Sequence, residues 1–113
     1  MLDKLLTMLD QGQDGAMLRF SLGNEYLKRE RPQDAADHLG EAVAQDPDYS
    51  AAWKLYGQAL DAAGQTEQAL DAFERGIAAA EKRGDKQAAK EMNVFLRRLR
   101  KQQQAATGDG AGE

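Results

Sequence analysis

The amino-acid sequence predicts an all-α fold of stacked helical hairpins, and three observations carry that prediction. The apolar content, 42% of residues, is dominated by alanine, leucine and methionine, with aromatics at only 6%, a bias toward helix formers and away from strand formers. Apolar residues recur at helical spacing between cap and stop signals along most of the chain. Residue types also recur with a fixed period. Leu22-Gly23, with Tyr26 three residues past the glycine, is echoed by Tyr56-Gly57 with Leu60 three past it, and the two glycines stand 34 residues apart. The same shift carries Ala35 onto Ala69, Leu39 onto Phe73 and Ala42 onto Gly76. A period of this size marks repeats that stack because one unit cannot bury its apolar face alone.

Residues 1–11 place Leu2, Leu5, Leu6 and Leu9 at i, i+3, i+4 and i+7, with Gly12 as the stop. This stripe is read as the second helix of a truncated repeat, against the plainer alternative of a frayed terminus. Repeat one spans 16–49. Asp14 is placed to cap its first helix, which runs to about Arg29, and Pro32 suits the first turn of its second helix, which ends near Gln45. Gly23, mid-helix, costs about 1 kcal/mol relative to alanine, so something must compensate. Asp46-Pro47-Asp48 closes the unit, with Asp48 as the next cap.

Repeat two spans 50–83, with Gly64 as a left-handed stop after about Ala63 and Thr66 capping the second helix. Gly84-Asp85 provides a stop and a new cap. A final helix over 85–101 carries Ala88, Met92, Phe95, Leu96 and Leu99 on one stripe, outside the frame of the two repeats, and is read as a capping helix. Residues 1–101 thus form one domain of about six helices. Residues 102–113 have no large apolar side chain and are expected to be disordered.

The repeat motif resembles that of the tetratricopeptide (TPR) family. The family pattern is W-x2-L-G-x2-Y, A-x3-F and P over 34 residues. Repeat one supplies Leu22, Gly23, Tyr26, Ala35 and Pro47, with Arg19 in the tryptophan slot and Leu39 in the phenylalanine slot. Repeat two supplies Trp53, Gly57, Ala69 and Phe73, with Tyr56, Leu60 and Glu81 in place of Leu, Tyr and Pro. The resemblance implies an α-solenoid whose first helices line a concave groove that holds a protein or peptide partner.

Carried over residue by residue, the groove positions are Met17, Phe20, Asn24, Leu27 and Lys28 from repeat one. Repeat two contributes Ala51, Lys54, Gln58, Asp61 and Ala62. One TPR subgroup reads terminal carboxylates through a Lys/Asn/Asn/Lys/Arg clamp. Here only Asn24 matches that set, and Phe20, Leu55, Asp85 and Ala89 hold the other places, which disfavours the clamp. Phe20 has two readings: an outward anchor in an apolar stripe with Met17 and Leu27, or an inward ring filling space beside Arg19.

Composition narrows the chemistry. The absence of cysteine removes disulfides, thiolate metal sites and a cysteine nucleophile. His38, the only histidine, lies beside Asp37 and Glu41 and is expected to be a solvated surface residue, not a metal ligand. With no phosphate loop or hydrolase motif, no enzyme and no cofactor are expected. A net charge of −4 argues against nucleic acid as the main partner, and Arg97, Arg98, Arg100 and Lys101 suit the last turns of a helix. No apolar run reaches the length of a membrane span, and the N-terminus lacks a cationic, cleavable leader. A cytoplasmic protein with no membrane partner is expected. Its function is expected to be that of an adaptor or assembly factor, with homodimerisation through the same apolar stripe as the alternative.

Overall fold

A computed structural model describes the backbone of residues 1–111 and the side chains of residues 1–106. Six helices and no strand occur among the described residues: α1 (Leu2–Asp10), α2 (Ala16–Lys28), α3 (Pro32–Gln45), α4 (Ser50–Ala62), α5 (Thr66–Arg83) and α6 (Lys86–Ala111). Successive helices pack as hairpins, α2 on α3 and α4 on α5. Contacts from α2 to α4 and from α4 to α6 make these three one layer. On the other side of α4, the backbones of α3 and α5 stay more than 8 Å apart, Cα to Cα.

The hairpins close where the repeat places its glycines. A Cβ built on Gly23 would lie 2.4 Å from Leu39 Cγ, and one built on Gly57 would lie 2.5 Å from Phe73 Cε1. Hydrogen is therefore the only side chain that admits helix to helix at this separation. The buried Leu39 and Phe73 fill the two equivalent positions. Trp53, 6% exposed, joins the repeats by packing into the main core while its Nε1–H donates to the Pro47 carbonyl at 2.7 Å. α6 closes the far end with Ala88, Ala89, Met92, Leu96 and Leu99, and Phe95 stacks on Phe73 with ring centroids 5.5 Å apart. At the near end α1 buries Leu5 against Leu18 and Leu22 of α2, with Leu2, Leu6, Met8 and Leu9 around them.

Gly64 and Gly84 follow α4 and α5 with φ of +80° and +75°, the left-handed stops that glycine permits. Glu30 holds the same place after α2 with φ of 57° and no such freedom.

Several expectations are corrected. Asp14, Asp48 and Thr66 do not cap helices: the N-cap positions of α2, α4 and α5 are Gly15, Tyr49 and Gln65, each without a side-chain cap bond. The Asp14 carboxylate is taken by Arg19, with both oxygens at 2.8 Å, and by Gln45 at 3.0 Å. Asp48 instead pairs with Lys82 at 3.3 Å, and Thr66 is itself the first residue of α5. Asp85 does cap α6, accepting from the Ala88 N–H at 3.1 Å. α6 is described to Ala111, past the expected end at 101; Gln102, Gln103, Gln104, Ala105 and Ala106 extend its run of helix formers, and Gly108 and Gly110 follow them. Residues 112 and 113 lie outside the described residues.

Candidate functional site

The face of α2, α4 and α6 turned away from α3 and α5 is the candidate site. On α4, Trp53, Gly57 and Leu60 point into the core, which leaves Lys54, Gln58 and Asp61 on the opposite side. Lys54 Nζ reaches Glu91 of α6 at 2.8 Å, so this face runs from one first-position helix to the next. The Lys54 ammonium, hydrogen-bonded to Glu91, and Gln87, donating at 3.0 Å, hold the Glu91 carboxyl below its usual range.

The residues carried over from repeat one are spread along α2. Met17 is 75% exposed and projects from the surface. Phe20 is half-buried, and its ring stacks on Tyr49 at a centroid distance of 5.0 Å with part of its surface open. Asn24 and Leu27 are half-buried, and Leu27 packs beside Pro32 and Ala62 in a shallow cleft. Lys28 is exposed and 3.5 Å from Glu25. From repeat two, Gln58 is half-buried, while Ala51, Asp61 and Ala62 are exposed. The structure thus brings Lys54 together with α6, and sets Met17 and Leu27 ten residues apart on α2 with Phe20 between them.

Arg19 stands in the tryptophan slot of repeat one, forked onto Asp14 and with Nη1 3.0 Å from His38 Nδ1, and Phe20 beside it packs half-buried against the main core. His38 is therefore not a solvated surface residue. Its ring lies parallel to Tyr26 at 5.4 Å, and burial, followed by the Arg19 charge, lowers its pKa from 6.5. The paired guanidinium in turn drives the Asp14 carboxyl far below the usual range. The reason is positional: α3 lays His38 across α2, a contact that spacing within either helix cannot reveal.

The third wall of the face, on α6, was missed in the sequence. α6 begins at Lys86, 36 residues after Ser50, so Lys54, Gln58 and Asp61 correspond to Lys90, Val94 and Arg97 only when the repeat frame is moved by two. Val94 is 42% exposed, the one large apolar side chain of α6 so placed among the described residues. An exposed valine amid Lys90, Arg97 and Arg98 was the signal available.

No group of three or more His, Cys, Asp or Glu among the described residues could hold a metal ion. The family model for the tetratricopeptide repeat matches residues 20–84, more than half of the chain. The chain belongs to the TPR family. A TPR repeat-containing protein of Pseudomonas aeruginosa is 52% identical over 99 residues, covering 88% of this chain and 94% of that protein. Among solved structures, a protein from Bordetella parapertussis is 44% identical and superposes with a TM-score of 0.79, over 93% of this chain and 91% of that one. A TPR domain protein from Salinibacter ruber, at 24% identity, shares the fold with a TM-score of 0.71, over 77% of this chain and 97% of that chain. TPR repeats generally mediate protein–protein interaction, and the family is generally non-catalytic. No helix among the described residues is long and apolar enough to cross a membrane.

Proposed function

We propose that this TPR domain is an adaptor or assembly factor, without catalytic activity or a cofactor of its own, that holds a segment of a partner protein against the α2/α4/α6 face. The observation that supports this is the contrast along that face. Met17 and the open part of Phe20 present apolar surface at one end, and α4 and α6 present polar and basic groups at the other. A partner segment that places an apolar anchor near Phe20 and a polar or acidic group toward Lys54 and Lys90 matches it, in the helix-in-groove or extended-peptide manner. We place this activity in the cytoplasm and read neither nucleic acid nor membrane as the partner.

The test is capture on the immobilised domain with parent, Phe20→Ala and Met17→Glu in parallel. A partner retained by the parent and lost about 30-fold by Phe20→Ala, the loss of a hot spot worth about 2 kcal/mol, fits the proposal. Equal retention by folded variants overturns it. Self-association through the same stripe is the competing outcome. Light scattering decides it, since a mass that doubles with concentration in the parent and not in Met17→Glu makes the domain a homodimer module.

A further inference from the structure

A second site lies on the opposite side of the molecule. Between α3 and α5, whose backbones stay more than 8 Å apart, a cleft of about 580 Å³ opens, floored by Trp53 and Tyr56 of α4. Small residues line much of its walls, Gly40 and Ala44 beside Val43 on α3, and Ala78 and Ala79 between Arg75 and Lys82 on α5. The two floor rings are tilted at 47° with centroids 6.1 Å apart. No described residue hydrogen-bonds the Tyr56 hydroxyl, which lies 3.4 Å from a Cβ built on Gly40. Arg75 lies over the Trp53 ring at 5.5 Å, and its only ion-pair contact among the described residues is a loose 3.9 Å to the exposed Asp71.

At the rim, Lys82 and Asp48 pair at 3.3 Å, and the Arg83 guanidinium is engaged by the Asp48 carbonyl. The indole N–H is committed to Pro47. An occupant therefore meets an apolar slot between small residues, one guanidinium with donors to spare, and one free hydroxyl. Such a set recognises a carboxylate attached to a flat apolar body. Arg75 and Lys82 stand seven residues apart on α5, which makes the cleft about 10 Å long at the helical rise. That length takes about three residues of extended chain.

We propose that this α3/α5 cleft is a docking site for a short segment of a partner protein in which an aromatic residue adjoins an aspartate or glutamate. The ring enters between Ala44 and Ala78, and the carboxylate meets Arg75 and the Tyr56 hydroxyl. The site is independent of the α2/α4/α6 face, so the domain can hold two partner segments at once.

Trp53 is the only tryptophan of the chain, and its emission reports directly on the cleft. The probes are N-acetyl-Phe-Glu-amide and its neutral counterpart N-acetyl-Phe-Gln-amide, titrated into the full chain to about 10 mM, a range suited to fragments of this size. The glutamate probe is expected to change the emission saturably and to bind about tenfold tighter than the glutamine probe. Arg75→Gln should remove that difference. Ala78→Leu, at an exposed helical position that leaves folding intact, should block both probes, and Phe20→Ala should change neither. An unchanged emission, equal binding of the two probes, or parental binding by folded Arg75→Gln and Ala78→Leu overturns the proposal. Equal affinity for free 3-phenylpropionate assigns the cleft to small acids and overturns the peptide assignment.

Discussion

Two glycine-to-alanine substitutions in the interiors of neighbouring helices should move stability in opposite directions. At Gly57 a Cβ would lie 2.5 to 2.7 Å from three atoms of the Phe73 ring. That ring is 1% exposed and is backed by Phe95 in a stacked pair, so it has nowhere to retreat. The ring must move by about 1 Å to reach ordinary contact, which places the cost near the upper end of overpacking, about 3 kcal/mol. Alanine returns about 1 kcal/mol of helix propensity. The net expectation for Gly57→Ala is a loss of about 2 kcal/mol, or a midpoint lowered by roughly 8 °C for a domain of this size.

At Gly40 the same added methyl meets the Tyr56 ring and hydroxyl at 3.4 to 3.5 Å, an ordinary contact. Only the propensity gain remains there. Gly40→Ala should therefore stabilise by about 0.5–1 kcal/mol, raising the midpoint by a few degrees. Thermal and urea unfolding, followed by circular dichroism on the same preparations, gives both values. A Gly57→Ala protein that melts at or above the parent, or two variants that shift alike, would refute the claim that close approach explains the repeat glycines.

Three further perturbations follow from the packing. Trp53→Ala removes a buried ring and its bond to the Pro47 carbonyl and should cost about 3–5 kcal/mol, seen as a lowered urea midpoint with an unchanged slope. Glu30→Gly relieves a non-glycine residue held at φ 57° and should stabilise by about 0.5 kcal/mol, since its repeat equivalent, Gly64, already has the permitted residue; a destabilised variant in thermal melts would show that the Glu30 side chain matters more than its backbone. The third concerns pH. His38 has a folded pKa below its unfolded value of about 6.5, so its contribution to stability is complete above that pH and is lost as pH falls toward the folded pKa. The groups that face it are Arg19, which opposes its protonation, and Asp14, Asp34 and Asp37, which favour it. Asp14, Asp85 and Glu91, with lowered pKa values, stay ionised throughout this window. Stability between pH 7.5 and about 5 should thus decline in the parent and flatten in His38→Gln, and equal slopes by urea unfolding would contradict this.

Composition, stop signals and the 34-residue period determined by themselves the all-α class and the two hairpins with a glycine inside the first helix of each, and the structure set Gly23 against Leu39 and Gly57 against Phe73. They could do so because helix periodicity and hairpin closure act over one repeat, and two copies in one register report the same geometry twice. Candidate positions on α2 and α4 came from the resemblance to the family pattern, while Lys90, Glu91 and Val94 were hidden by the two-residue change of frame at α6. Only the tertiary structure decided where polar side chains go once helices meet. Asp14 and Asp48 have cap chemistry, yet each stands one residue before the N-cap, Gly15 and Tyr49, and pairs with a cation, Arg19 and Lys82. Likewise Arg19 and His38 meet across nineteen residues of chain, and the α3/α5 cleft exists because the backbones of two helices are held apart by a third. Such features depend on how rigid helices are placed in space, and local spacing along the chain carries no record of that.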